Sequence, residues 1–536
     1  MEQTLRNEPS HPTVMESPSR RTVPNNPNNN AKTRIAIIAV ACFTLFYFVN
    51  FIVRASAKYF WYDELCTVYI SRLPDLASAQ QAILHGVDFN PLPFHVLTRL
   101  VNGIFGEGLV SARLPAMVGV WLLCVSLFAI ASRRWGWPAG VVAMLFPILS
   151  RARFYAYEAR PHGIVLGLAG LAALAWQRLR DPRTRPLWLI VFAISLWGSC
   201  LLHCYAITLL VPFAFAESYR VWRTRKLDWI VPGIMAVEVM LAIPFYLPLL
   251  RAYSHIVAVN LPPVTIGSLQ EFYVSMLSPA ILALLACLVA LALARMIREV
   301  RGSQVLNGAP AADTEIALAL AFLSLPVAGY ALAVVTRAQF MARYFASAIL
   351  GVSLLAAYAG AARRAARWLP YSLAVVLAFL ALFNFGRVLR LHQVGKGEML
   401  VEPSSDLVLA TDPGQPLADY QLLLSAPDDS RPILVMQALE FAYLANYAPA
   451  RIKSRLYYSS PGPRETLGRF LRAINDYCHI PYNLAYDVDF LAAHQNYYVY
   501  GLLAQEYDIG HSSHVLGGSC RSLHLDLHHF LAEMSH

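Results

Sequence analysis

The chain has 536 residues, of which 57% are hydrophobic and only 14% charged, with a formal net charge of +10 at pH 7. A soluble domain carries about a quarter charged residues, so an ordinary soluble globular protein is excluded. The excess of Lys and Arg falls in short clusters between apolar runs, and no basic stripe interleaved with aromatics is present, so nucleic acid is not an expected partner.

Residues 1–32 are polar and rich in Pro and Asn, and read as a disordered cytoplasmic tail. The run that follows has no short basic leader and no small-residue cleavage site, so it reads as a retained helix. A spanning helix needs about 20 mostly apolar residues. Such runs recur at 34–53, 113–132, 137–152, 161–177, 187–202, 204–219, 229–250, 279–296, 315–335, 343–361 and 368–386. The expected fold is an α-helical polytopic membrane domain, residues 33–390, with about eleven transmembrane helices. A further run, 91–105, is short, opens with Pro91 and Pro93, and holds His95 and Arg99 in its middle. It reads as an interfacial or re-entrant helix.

With that choice, Arg133-Arg134 and the basic clusters at 178–185, 220–226, 295–301 and 363–367 share one side. The positive-inside rule makes that side the cytoplasm. The other face then collects the first outer loop, 54–107, the turn 151–160, His203, Tyr205, the loop around His255, and the segment from Arg337 to Tyr344. Residues 391–536 regain ordinary polarity and read as a small extracytoplasmic α/β domain. Strands are expected at 432–436 and 522–527 and a helix through 441–446. Cys478 and Cys520 could pair there if the domain faces an oxidising compartment. The expected location is a multi-pass protein of the bacterial cytoplasmic (inner) membrane, N-terminus cytoplasmic and C-terminal domain outside.

Three constellations stand out on the outer face. Asp63-Glu64, flanked by Trp61 and Tyr62, follows the first span. Carboxylates there suit a helix N-terminus, worth about 0.3–1 kcal/mol against the dipole, and they also suit proton transfer or metal binding. Tyr157-Glu158-Ala159-Arg160-Pro161-His162 stands between two spans. Glu158 and Arg160 there form either a simple ion pair or an acidic group facing a sugar beside a guanidinium gripping phosphate. Arg337 and Arg343-Tyr344 place arginine where the topogenic rule does not expect it, for which a lipid phosphate or pyrophosphate, or ordinary headgroups, would give the reason. His85, His203 and His255 lack metal-ligand spacing, although a divalent metal is left open. No phosphate-binding glycine loop, nucleophile elbow or kinase signature occurs, which disfavours a primary pump.

These pieces resemble the GT-C polytopic glycosyltransferases, in particular the bacterial branch related to protein O-mannosyltransferases and the lipid A aminoarabinose transferase. The matching residues are Trp61-Tyr62-Asp63-Glu64, Asn90-Pro91-Leu92-Pro93-Phe94-His95, Ser111-Ala112-Arg113-Leu114-Pro115-Ala116, Tyr157 to His162, and Arg343-Tyr344. The sequence departs from the common pattern where Pro-Leu-Pro replaces Pro-Pro and where His162 replaces an aromatic. The resemblance implies transfer of a sugar from a polyprenyl-phosphate carrier to a glycolipid, polysaccharide or protein acceptor at the outer face of the bilayer. It implies Asp63 as base, Glu64 and Glu158 as further acidic groups, and Arg160, Arg343 and Arg337 as candidates for the donor phosphate. Trp61, Tyr62, His85, Asp88, Tyr157, His162 and Tyr344 are the expected sugar or acceptor pocket.

The chemistry needs no nucleotide. A sugar phosphodiester is already activated, so one carboxylate to take the acceptor proton and one or two arginines for the departing phosphate suffice. A single displacement would invert the anomeric centre. The alternative from another class is a transporter or flippase for a lipid-linked sugar, which would predict repeated halves. No internal repeat is present in the sequence.

Overall fold

Backbone groups in hydrocarbon must be satisfied within their own segment, so the apolar runs become helices. The computed structural model describes residues 27–256, 265–277, 310–336, 340–361, 368–393, 422–423, 427, 429–460, 462–463, 465–502, 519–525 and 529–535. In chain order the helices are α1 (Pro27–Ala57), α2 (Tyr62–Arg72), α3 (Leu76–Leu84), α4 (Leu92–Phe105), α5 (Leu114–Trp135), α6 (Trp137–Leu149) and α7 (His162–Arg178). They continue with α8 (Arg185–Leu202), α9 (Leu210–Thr224), α10 (Ile230–Ile256), α11 (Ile266–Leu277), α12 (Pro310–Thr336), α13 (Ala348–Ala361) and α14 (Leu369–Gln393).

Six of these, α1, α5, α8, α10, α12 and α14, are long and apolar enough to cross a membrane, and α6 and Ala348–Ala359 are shorter apolar helices. The expected span 279–296 lies outside the described residues, as do Arg337 and the side chains of His255 and Cys520. Three expected spans differ at one end; 343–361 opens with a 3-10 turn, Ala342–Phe345, before its helix starts at Ala348, and the other two share a cause. The span 137–152 stops at Leu149, where the Ser150 hydroxyl accepts from the Ala152 N–H and starts a 3-10 turn, Arg151–Ala156. The span 204–219 begins as a 3-10 turn, Cys204–Leu209, because His203 Nδ1 accepts from the Tyr205 N–H. In both places a side chain offers the backbone a local partner that competes with the α-helical one.

α4 has 14 residues, about 21 Å of helix, too short for a hydrocarbon core of about 30 Å. It buries Phe94, His95, Thr98 and Asn102, a single face, and Arg99 donates to the Leu73 and Pro74 carbonyls beyond the end of α2. The crossing of α5 and α7 is set by glycine. A Cβ on Gly119 would stand 2.3 Å from the Gly163 carbonyl oxygen, and one on Gly167 2.3 Å from that of Gly119. Small residues at this spacing let two backbones touch, as membrane helices do when packing is the main attraction between them. Gly163 also lies under the turn at 155–160, where a Cβ would meet the Tyr155 carbonyl oxygen at 2.4 Å.

The C-terminal domain is α/β. Its strands are β1 (Ile433–Val435), β2 (Leu456–Ser460), β3 (Leu484–Tyr486), β4 (Asn496–Leu502), β5 (Ser519–Leu525) and β6 (His529–Ser535), in the order β3-β2-β1-β4-β6-β5. The first four are parallel, and β6 and β5 are antiparallel additions. The helices are α15 (Ala438–Tyr447), α16 (Ala450–Lys453), α17 (Thr466–Cys478) and α18 (Asp487–Ala493). At the start of α17 the Glu465 carboxylate accepts from the Leu467 and Gly468 N–H groups. In a doubly wound α/β sheet a helix N-terminus is where a nucleotide phosphate binds, and here the chain's own carboxylate fills it. Cys478 is a free thiol.

One apolar core runs from the first loop into this domain. Phe60, Leu65, Tyr69 and Ile83 pack in the same cluster as Phe441, Leu444 and Ile474. α2 and α3 are therefore shared, in packing terms, between the membrane helices and the C-terminal sheet.

Candidate active site

Asp63 lies in the first turn of α2, and its side chain is 21% exposed. Its Oδ2 accepts from Arg343 Nη1 at 2.9 Å and lies 3.8 Å from Arg160 Nη2. Arg160 is held more firmly elsewhere. Its Nη1 and Nη2 donate to the two oxygens of Asp88 at 2.8 and 3.0 Å, and Nη1 also donates to the Asp63 carbonyl and the Thr67 hydroxyl. Two parallel bonds fix a guanidinium in orientation as well as in place. Asp88 accepts further from Asn90 and the Phe89 N–H, and His95 Nε2 lies 3.4 Å from it. Burial would raise the Asp88 carboxyl, but Arg160 and His95 outweigh it and hold it below the usual range. Burial drives His95 down to about 4, so it is neutral in ordinary buffers.

Glu64 is built differently. It is fully buried; Oε1 accepts from Arg113 Nε and the Ala159 N–H, both at 2.7 Å. Oε2 accepts from Arg113 Nη2 at 2.9 Å and the Trp61 N–H at 3.3 Å, and pairs with Lys58 at 3.1 Å. Burial alone would raise this carboxyl, yet Arg113 and Lys58 hold it at about 2. Every lone-pair direction is taken by the protein. Arg113 is tied in turn to the Ala55, Lys58 and Tyr59 carbonyls, closing the end of α1.

Glu158 is also buried, and its Oε2 has no hydrogen-bond partner among the described residues. Burial pushes it up to about 7, against the pull of Lys58. A carboxyl raised in the folded state binds protons more tightly there than in the unfolded chain, so folding stability falls as pH rises between about 4.5 and 7. Glu158→Gln removes that penalty. Its melting temperature is expected to match the parent near pH 5 and to exceed it increasingly up to about pH 7; thermal unfolding in detergent checks this, and a gap independent of pH would contradict it.

Beside Arg343 opens a cleft lined by His162, His203, Tyr205, Thr208 and Tyr344. Tyr205 and Tyr344 stack face to face, centroids 3.7 Å apart, and His162 and His203 stand edge to face at 4.9 Å. The cleft wall thus comes from the start of α7 and from two 3-10 turns, Cys204–Leu209 and Ala342–Phe345.

Ion pairs and hydrogen bonds link Asp63, Asp88, Arg160 and Arg343, Glu158 lies within electrostatic reach of both arginines, and His162 and Tyr344 line the cleft beside Arg343. Four residues expected in the pocket lie elsewhere. Tyr157 is fully buried between Phe51 and Phe154, a core position. Tyr62 is buried in the core shared with the C-terminal domain, as is Trp61, whose indole N–H has no hydrogen-bond partner among the described residues. His85, expected in the pocket, is exposed and stacks on Tyr477 at 4.2 Å, because it caps the C-terminus of α3 and faces the sheet domain. Among the described residues no group of three or more His, Cys, Asp or Glu could hold a metal. Sequence reasoning missed Lys58 and the role of Arg113. The usable signal for Arg113 was an arginine at the end of an apolar span that the basic clusters assign to the non-cytoplasmic side, where the positive-inside rule supplies no reason for it.

A multi-helix membrane region interrupted by short helices, with an α/β domain after the last described span and carboxylates and arginines between the two, has the GT-C fold. Among solved structures the chain is similar to ArnT, the lipid A aminoarabinose transferase, from Cupriavidus metallidurans in the apo state. That likeness has 13% identity over 94% of this chain and 98% of the other, with a TM-score of 0.52. It is also similar to ArnT from the same organism bound to undecaprenyl phosphate, at 14% identity over 92% and 97% of the two chains, TM-score 0.50. At such identities the likeness is one of fold. No protein-family model and no curated protein matches the sequence.

Proposed function

We propose that this chain is an inverting membrane glycosyltransferase that moves a sugar from a polyprenyl-phosphate donor to an acceptor at the outer face of the membrane, with Asp63 as general base. The observation that carries this reading is the Asp63–Arg343 pair, part-exposed beside a cleft. The similar ArnT structure bound to undecaprenyl phosphate supports a polyprenyl carrier. The acceptor class is a glycolipid, polysaccharide or protein.

The acceptor oxygen or nitrogen attacks the anomeric carbon, its proton passes to Asp63 Oδ2, and the bond from that carbon to phosphate oxygen breaks. The electron pair leaves on the polyprenyl phosphate, where Arg343 offsets the charge. In the structure Arg343 is occupied by Asp63 itself. An arriving donor phosphate competes for that guanidinium, and as it wins, it frees the carboxylate to accept a proton. Arg160, paired through both terminal nitrogens with Asp88, holds the Asp63 backbone instead of the donor. Glu64, with every acceptor position filled, is a structural anchor. Glu158, with an open carboxyl oxygen beside these cations, is the remaining acidic group able to meet a sugar hydroxyl.

Arg343→Ala is expected to weaken undecaprenyl phosphate binding by about 1.5–3 kcal/mol, roughly ten- to a hundredfold, with Arg343→Lys intermediate. Titration of the carrier into the detergent-solubilised chain measures it. Unchanged affinity would remove Arg343 from the phosphate site. Retained anomeric configuration in the product, by NMR, would overturn the single displacement.

A further inference from the structure

Helix α2 presents two faces to two different neighbours. Asp63, Glu64 and Thr67 turn toward Arg343, Arg113 and Arg160. Tyr62, Cys66 and Tyr69 recur at i, i+4 and i+7 and enter the core shared with the C-terminal domain. At the end of that second face three side chains close a ring of hydrogen bonds. Tyr69 Oη donates to Asn446 Oδ1 at 2.6 Å, Asn446 Nδ2 donates to Tyr482 Oη at 3.1 Å, and the two tyrosine oxygens lie 3.0 Å apart. If Tyr482 donates to Tyr69, each member gives one bond and accepts one, so the ring is internally satisfied. At the other end of α2, Tyr447 Oη accepts from the Phe60 N–H at 3.0 Å, and its ring lies 4.5 Å from that of Tyr59. Both ends of the helix are thus fastened to α15 and to the segment after α17.

We infer that Asn446, Tyr447 and Tyr482 are positioning residues: the C-terminal domain fixes the height and rotation of α2, and through it the place of Asp63 against Arg343. This rests on Asp63 being the base. Asp63 meets Arg343 at 2.9 Å from the first turn of α2, so a small rotation of that helix displaces the carboxylate. A displacement of about 1 Å at a reacting group costs on the order of a hundredfold in rate. The C-terminal domain therefore acts on turnover without touching substrate.

The test uses the full chain in nanodiscs with the double variant Asn446→Ala/Tyr447→Phe, and Asn446→Asp as the conservative companion that keeps the acceptor for Tyr69. Three readouts are taken: hydrogen exchange of the α2 amides, affinity for undecaprenyl phosphate, and kcat with the polyprenyl-phosphate-linked sugar that the parent chain turns over. The expected result is faster exchange confined to α2, an affinity for undecaprenyl phosphate no weaker than the parent's, and kcat lowered about tenfold or more, with Asn446→Asp recovering most of it. Affinity does not weaken because a displaced Asp63 no longer competes for Arg343. Unchanged exchange in α2, or unchanged kcat despite faster exchange, would overturn the inference. So would a loss of kcat and carrier affinity together in proportion to the folded fraction. If the parent chain turns over no polyprenyl-phosphate sugar, the proposed function fails instead, and the exchange data alone decide whether the domain holds α2.

Discussion

Asp63→Asn is expected to lower sugar transfer by about 10²–10⁴-fold while leaving the chain folded. The substitution is isosteric and keeps an oxygen within reach of Arg343 Nη1. It removes the negative charge that an acceptor proton would neutralise. The side chain is part-exposed and accepts from Arg343, so no buried charge is orphaned and the fold has little to lose. The check is transfer from a polyprenyl-phosphate-linked sugar, followed by mass spectrometry of the lipid product, alongside thermal unfolding of the same preparation. Undecaprenyl phosphate should bind the variant at least as tightly as the parent, because Arg343 is released from its carboxylate partner. Transfer above a tenth of the parent rate would exclude Asp63 as the base.

Glu64→Ala has the opposite profile: it should damage the fold first. Arg113 and Lys58 are 0% and 1% exposed, and Glu64 is the carboxylate that pairs with both. Removing one partner of a buried ion pair leaves an uncompensated charge and costs about 3–5 kcal/mol. Replacing both Glu64 and Arg113 by apolar residues should cost less than the sum of the two single changes, since neither charge is then left alone. The measurement is the melting temperature and folded yield of the two single variants and the double variant. A Glu64→Ala chain that folds as well as the parent but fails to transfer sugar would return Glu64 to the chemistry.

The adjacent pair Asp63-Glu64 shows how far sequence reading reaches here. That the stretch suits a helix start, and that it shares one face with Arg343, is expected from the sequence pattern and from the placement of the basic clusters, and Asp63 does lie in the first turn of α2. The division of labour within the pair does not follow. Successive residues on a helix diverge by about 100°, and what each meets is set by Arg113, Ala159 and Arg343, which are distant in sequence. The same holds for Asp88, whose pairing with Arg160 spans 72 positions, and for His85, which faces the C-terminal domain. Six of the expected spans were legible because about 20 apolar residues in a row admit few other readings. The strand at Asn496–Leu502, four of whose seven residues are Tyr or Asn, carries no such pattern.

The glycine crossing of α5 and α7 also decides where this chain is free to drift. Positions 119, 163 and 167 admit no side chain without pushing two backbones apart, and the first thing moved is the Tyr155–Arg160 turn resting on Gly163. The outward faces of α10 and α14, where Ile243, Val375 and Phe383 point away from the protein, can exchange one apolar residue for another at no comparable cost. A lineage carrying this fold can therefore retune its lipid-facing surface and its cleft-lining turns while the three glycines stay fixed. Saturation mutagenesis would read that contrast as a map of tolerance, with its narrowest point at the three glycines, directly beneath the turn that carries Glu158 and Arg160.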